Sequence, residues 1–382
     1  MSRQHPGKAP DFWEHKRVLS LDGFGPGGLW TLHILKELMV EVKHYEKNGH
    51  YASSSRTPPV WGTVNHSYEG PGYSLCHYFD YICGSSMGGL FAMMIGVQNL
   101  ALEEAIRLAE DIVRTGVETA KTPRKLPFGR RLVRKRNAWK LAKTLNSLPS
   151  TWNRSLETQE DLCRTVIFAT HRLDRWVREP FSLRSYHEPE KVLQNQLIDT
   201  RKLSLVDAAK ATLSGDNFEA VKINGLSGFF SGANFYDTDS ALEAYTEVIR
   251  IHGDPLDLLV SVGRRPDIVR DDSLYELSRK RAFDLWMVSD SRDGSIEIAA
   301  QRAKEFCDMN REEIRTWAKT LVQRREQKAR DYRWKRFVGQ RRSIQIWPES
   351  DSDSDDNDGP SALEILRTRA KPQSIMEVIG GS

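Results

Sequence analysis

Gly84-Ser85-Ser86-Met87-Gly88 holds a serine between two glycines. A short apolar run leads into it, and a second run of helical spacing follows from Leu90 to Val97. A strand that turns sharply into a helix at a serine lifts the hydroxyl clear of the backbone, where it can attack an acyl carbonyl. The glycines let such a turn pass close to its neighbours. The following helix brings the positive end of its dipole near any oxyanion that forms. Ser86 is therefore the candidate nucleophile; the competing reading is a glycine-rich turn with an incidental serine.

A second cluster, Gly23-Phe24-Gly25-Pro26-Gly27-Gly28, follows the buried-strand pattern Arg17-Val18-Leu19-Ser20-Leu21. It precedes residues 29–40, whose apolar positions recur at helical spacing. Strand, glycine loop and helix gather free backbone N–H groups at one point, which suits an anion. Gly23, Gly25 and Gly28 also fit the Gly-x-Gly-x-x-Gly of dinucleotide sites. That reading needs a second strand ending in an acidic residue about 20 residues further on. Residues 45–72 are instead polar and rich in Gly, Ser, Pro and His. With a serine turn downstream, the loop reads better as an oxyanion cradle at Gly23, Phe24, Gly25 and Gly28.

The elements that position these groups belong to a chain of 382 residues, enough for one large domain or two ordinary ones. Hydrophobic residues make up 39% and charged residues 28%, which allows a core beneath a very polar surface. The net charge of +4 is too small to imply a nucleic-acid partner, and none is expected. Cys76, Cys83, Cys163 and Cys307 show no paired or metal-like spacing, so neither a disulfide framework nor a metal site is indicated, and no cofactor is expected. Residues 1–16 lack the apolar centre of a signal peptide. The longest apolar stretch, residues 90–97, falls far short of the about 20 residues that span a bilayer. The expectation is a cytoplasmic protein, peripheral to membranes where it meets them.

The order of these motifs resembles the patatin-like phospholipase family. Leu19-Ser20-Leu21-Asp22-Gly23-x-Gly25-x-x-Gly28 and Ile34-Leu35-Lys36-Glu37-Leu38 are followed by Phe79-Asp80-x-Ile82-x-Gly84-x-Ser86-x-Gly88-Gly89-Leu90. Val166-Ile167-Phe168-Ala169-Thr170, Phe181-Ser182-Leu183-Arg184-Ser185-Tyr186, Ala208-Ala209-Lys210-Ala211-Thr212-Leu213-Ser214 and Leu258-Leu259-Val260-Ser261-Val262-Gly263 continue the likeness in order. The resemblance implies an α/β fold, a three-layer α/β/α sandwich around a mostly parallel sheet, over residues 17–265. It implies hydrolysis of phospholipid or acylglycerol esters by a serine–aspartate dyad that needs no histidine.

The chain departs from that pattern where the chemistry is done. At the family's general-base aspartate it reads Phe229-Phe230-Ser231-Gly232-Ala233, and Ser231 cannot take a proton from Ser86 near neutral pH. Losing a positioned base costs on the order of 10²–10⁴ in rate. Phe24 stands for a loop glycine and Gly27 for the family's arginine. Asp216, Asp237 and Asp239 are the nearest carboxylates in sequence, and their plainer reading is as solvated loop residues. A rescue by histidine would fall to His171, His187 or His252. The function expected is a lipid acyl hydrolase with its dyad aspartate replaced; the alternative is an inactive patatin-like protein that binds lipid or a protein partner.

The stretch from Arg124 to Lys140 is strongly basic, with Phe128 and Trp139 interleaved, and suits an anionic membrane surface. Its plainer reading is a solvated helix face. Residues 266–345 read as a helical extension packing on the main domain. Residues 346–382 carry an acidic, low-complexity run expected to be disordered, and residues 1–16 form an N-terminal arm.

Overall fold

The computed structural model describes residues 15–23, 28–48, 73–117, 127–158, 163–172, 178–187, 203–215, 217–223, 226–232, 239–253, 256–263, 272–281, 284–289 and 296–328. The acidic tail, most of the N-terminal arm, Phe24 and Gly25 lie outside these residues.

Among the described residues seven strands form one sheet: β1 (Lys16–Gly23), β2 (Tyr81–Ser86), β3 (Arg164–Arg172), β4 (Arg178–Arg184), β5 (Phe229–Gly232), β6 (Leu256–Gly263) and β7 (Asp284–Ser289). Their order is β4-β3-β2-β1-β6-β7, with β5 also paired to β3. The β1–β2, β1–β6, β2–β3 and β6–β7 pairs are parallel, whereas β4 and β5 run antiparallel to β3. Parallel strands need long crossovers, so helices cover both faces and the central strands are apolar on both. Leu19, Leu21, Ile82, Ile167, Val260 and Val262 point into one cluster, shared with helices α1 (Leu29–Asn48), α2 (Met87–Ala92), α3 (Leu102–Ile112) and α5 (Leu205–Leu213). Val18, Cys83, Val166, Phe168 and Leu259 point the other way, onto α6 (Ser240–His252). This is the α/β/α sandwich, and it places the carboxyl ends of β1 and β2 side by side.

The stretch beyond residue 265 is not helical throughout. β7 adds a parallel strand to β6, Trp286 opposite Val260. Its run of four apolar residues, Leu285 to Val288, cannot be told from helix by periodicity, so the sheet pairing is what decides it. The helices α8 (Ile296–Met309) and α9 (Arg311–Lys328) then pack on the outer side of α1. Phe306 meets Trp30 edge-on at 5.7 Å, and Trp317 stacks on Trp286 at 5.4 Å. Arg325 makes two bonds of 2.6 Å to the Glu46 carboxylate, which also accepts from the Tyr78 hydroxyl. Flanked by the sheet and by α8 and α9, α1 is apolar on two sides rather than along one stripe.

Two histidines are held neutral inside this framework. Burial, then Lys36, lowers the His33 pKa from 6.5 to about 4. Burial, then Lys16 and Arg164, lowers that of His252 to about 4, where the ring sits 2.8 Å from the Tyr81 hydroxyl. Between these values and 6.5 the unfolded chain binds more protons than the folded one, so stability rises with pH there. Stability is expected to be complete above pH 6.5 and to fall as the pH drops toward 4. Thermal midpoints from about pH 7.5 down to about 4.5 check this, and a flat profile would refute it.

Candidate active site

β2 ends at Ser86, whose backbone sits at φ 53°, ψ −126° before α2 begins at Met87. A non-glycine residue in that region costs on the order of 1–3 kcal/mol and persists only where the surroundings hold it. Three contacts do so. A Cβ on Gly88 would overlap the Leu21 carbonyl, and one on Gly84 would overlap the Gly88 carbonyl. The turn is therefore wedged between β1 and its own helix, and this close approach is why both flanking positions are glycine. From the other side, the Thr212 hydroxyl of α5 donates to the carbonyls of Ser86 (3.3 Å) and Phe168 (3.2 Å).

The glycine loop starts and ends at this turn. A Cβ on Gly23 would lie 2.5 Å from Met87 Cβ, and one on Gly28 3.1 Å from the same atom. Gly23 and Gly28 thus abut the residue that follows Ser86.

β5 brings the fourth component. β2 and β4 flank opposite edges of β3, and β5 takes up the edge where β2 leaves off. Ser85 lies opposite Phe168, and Ser231 lies opposite Thr170 two residues on. Both side chains face the same side of the sheet, at positions about 7 Å apart along β3. Ser231 is half-buried. Among the described residues, no side chain hydrogen-bonds the hydroxyl of Ser86 or that of Ser231.

The carboxylates divide differently from their order in sequence. Asp239 caps α6, accepting from the amides of Ala241 and Leu242. Asp216 and Asp237 lie outside the described residues. Asp22 is closer to the turn than any expectation placed it. It pairs with Ser85 across β1 and β2 and accepts from the Ser85 hydroxyl (3.3 Å), which in turn accepts from Ser240 at the start of α6 (2.6 Å). The Asp22-Gly23 step in the loop motif is the signal that could have found it; nothing in the sequence marks Ser240.

Of the histidines, His171 follows Thr170 on β3 and so faces the side of the sheet opposite Ser231, while His187 and His252 stand far from the turn. His171 stacks on Phe230 at 4.8 Å and is bonded to the Ser227 carbonyl. His252 contacts Tyr81 and Arg164 at the start of β2 and β3, five residues and roughly 16 Å from the serine turn. His187 follows β4, whose last residue pairs with Val166 near that same far end. All four cysteines are buried, and none forms a disulfide among the described residues. Among the described residues no group of His, Cys, Asp and Glu is placed to hold a metal, and no helix is long and apolar enough to cross a membrane.

The site is thus a strained serine on a strand-to-helix turn of a mostly parallel α/β sandwich, with Gly23 and Gly28 against it and β5 pairing with β3 beyond the end of β2. No family model matches the chain. A protein described as a cGAMP-activated phospholipase, from Vibrio cholerae serotype O1 (strain ATCC 39315 / El Tor Inaba N16961), is 29% identical over 227 residues, 55% of this chain and 52% of that protein. The chain thus spans about half the length of the curated relative it matches. The chain is thus similar, over about half its length, to a phospholipase.

Proposed function

We propose that the protein is a serine acyl-ester hydrolase of phospholipid or acylglycerol, with Ser86 as nucleophile and a site slowed by Ser231. The observation that carries this reading is Ser86 itself, held at positive φ on the turn with its hydroxyl unengaged by any described residue. Ser86 Oγ adds to the acyl carbonyl, the alcohol leaves with a proton, and water then releases the acid from the acyl-serine. The cradle is the backbone of Gly23, Phe24, Gly25 and Gly28. At 231 the serine offers no carboxylate, so the Ser86 proton passes to solvent at a cost on the order of 10²–10⁴ in rate. The lipid contact falls on the basic stretch from Arg124 to Lys140. A second reading, a lipid- or partner-binding protein without turnover, draws on the same Ser231.

Fluorophosphonate labelling tests this, because it reports an activated serine without the true substrate. Slow labelling of the purified protein, abolished in Ser86→Ala, is expected. The likeness to a phospholipase activated by cGAMP makes that nucleotide the first effector to add. No labelling of the native protein with or without cGAMP would favour the binding reading.

A further inference from the structure

The helix α4 (Pro127–Asn146) has two unlike sides. Its inner side holds Asn137, Leu141, Thr144 and Leu145, all buried. On the outer side Leu132 is 70% exposed and Trp139 63% exposed, two of the five large apolar side chains that stand exposed among the described residues. Lys135, Arg136 and Lys143 are exposed with them. Positions 132, 135, 136, 139 and 143 follow i, i+3, i+4, i+7, i+11, so the five side chains share one arc of the helix. Lys143 Nζ lies 5.7 Å from the Trp139 ring centre. Lys135 and Arg136 have no ion-pair partner among the described residues.

An apolar face that is also basic is costly to leave in water and has little to gain from an apolar protein groove. It matches an anionic lipid surface, where Trp and Leu enter the headgroup boundary and the lysines and arginine meet phosphate or carboxylate. The helix is also clamped to the serine turn. Asn137 Nδ2 donates to the Asn217 carbonyl (2.8 Å) and Arg134 Nε to that of Phe218 (2.9 Å). Residues 217 and 218 follow α5, whose Thr212 holds the Ser86 carbonyl.

We infer that the outer face of α4, centred on Leu132, Arg136 and Trp139, docks the protein on anionic bilayers and fixes the orientation of the Ser86 turn to the lipid. The inference rests on the lipid reading above and gives it a surface.

The test is co-sedimentation of the full chain with vesicles of phosphatidylcholine alone and of phosphatidylcholine with phosphatidylserine. Binding to the anionic vesicles only, weakened by salt, is expected. Each neutralised cation should cost about fivefold, so Lys135→Gln, Arg136→Gln and Lys143→Gln together should weaken binding on the order of 10²-fold. Leu132→Ser with Trp139→Ala should weaken it as well. Unchanged thermal midpoints show that the variants still fold, and Ser86→Ala should sediment like the parent. Equal binding to both vesicle types, α4 variants that bind like the parent, or retention on RNA in place of vesicles would overturn the inference. Vesicle binding without fluorophosphonate labelling would refute the hydrolase reading and leave the docking face standing; labelling without vesicle binding would do the reverse.

Discussion

Aspartate at position 231 is expected to speed fluorophosphonate labelling of Ser86 by about 10²–10⁴-fold, which corresponds to about 3–5 kcal/mol of barrier. Strand register puts Ser231 on the same side of the sheet as Ser85, the residue before Ser86, two positions further along β3. An aspartate there would replace a hydroxyl that no described residue engages, so it breaks no existing bond. Stopped labelling time courses of Ser231→Asp beside the parent measure the gain. A variant that labels no faster would show that the base is not what the site lacks, and would move attention to the loop at Phe24.

Glu247→Ala is expected to destabilise the fold by about 3–5 kcal/mol, read from urea unfolding. Glu247 is 4% exposed on α6 and takes two bonds from Arg184, at 2.6 and 2.9 Å, one from the Tyr186 hydroxyl and one from Arg250 at 2.7 Å. Its removal takes from Arg184, itself 5% exposed, the carboxylate that accepts both of these bonds. Replacing the pair with Arg184→Met and Glu247→Leu should recover most of the loss, because apolar groups of similar volume need no partner there. Burial pushes the Glu247 carboxyl up, but Arg184, Tyr186 and Arg250 outweigh it and hold it at about 2. A carboxylate so lowered stabilises fully above about pH 4.5 and is lost as the pH falls through 2, so the variant should also lose this acid-sensitive step. A Glu247→Ala protein as stable as the parent would show that the network contributes nothing net.

The serine turn was legible because its signal is local. Three residues, their glycine spacing and the apolar runs on either side lie within about one strand and one helix of each other. Phe24, Gly27 and Ser231 stand out for the same reason, each being read within a short motif. The Arg184–Tyr186 segment was recognisable as a pattern, yet its purpose was not, since its partner Glu247 lies 63 residues from Arg184 on another element. β7 was missed because six residues of Asp284–Ser289 carry no period long enough to separate strand from helix. Leu132 and Trp139 could equally have been core residues; only the packing of α4's other side shows that they face out.

The sequence by residue type carries the chemistry on offer: a serine flanked by glycines between two apolar runs. Residue type is a property of each position by itself. Proximity, by contrast, comes from tertiary packing. Asp22 and Ser240 meet at Ser85, Ser231 arrives beside the turn through the register of β5 on β3, and His252 is carried to the far end of the sheet. Those distances depend on strand pairing and helix packing between segments far apart in the chain, and no local pattern of residues encodes them.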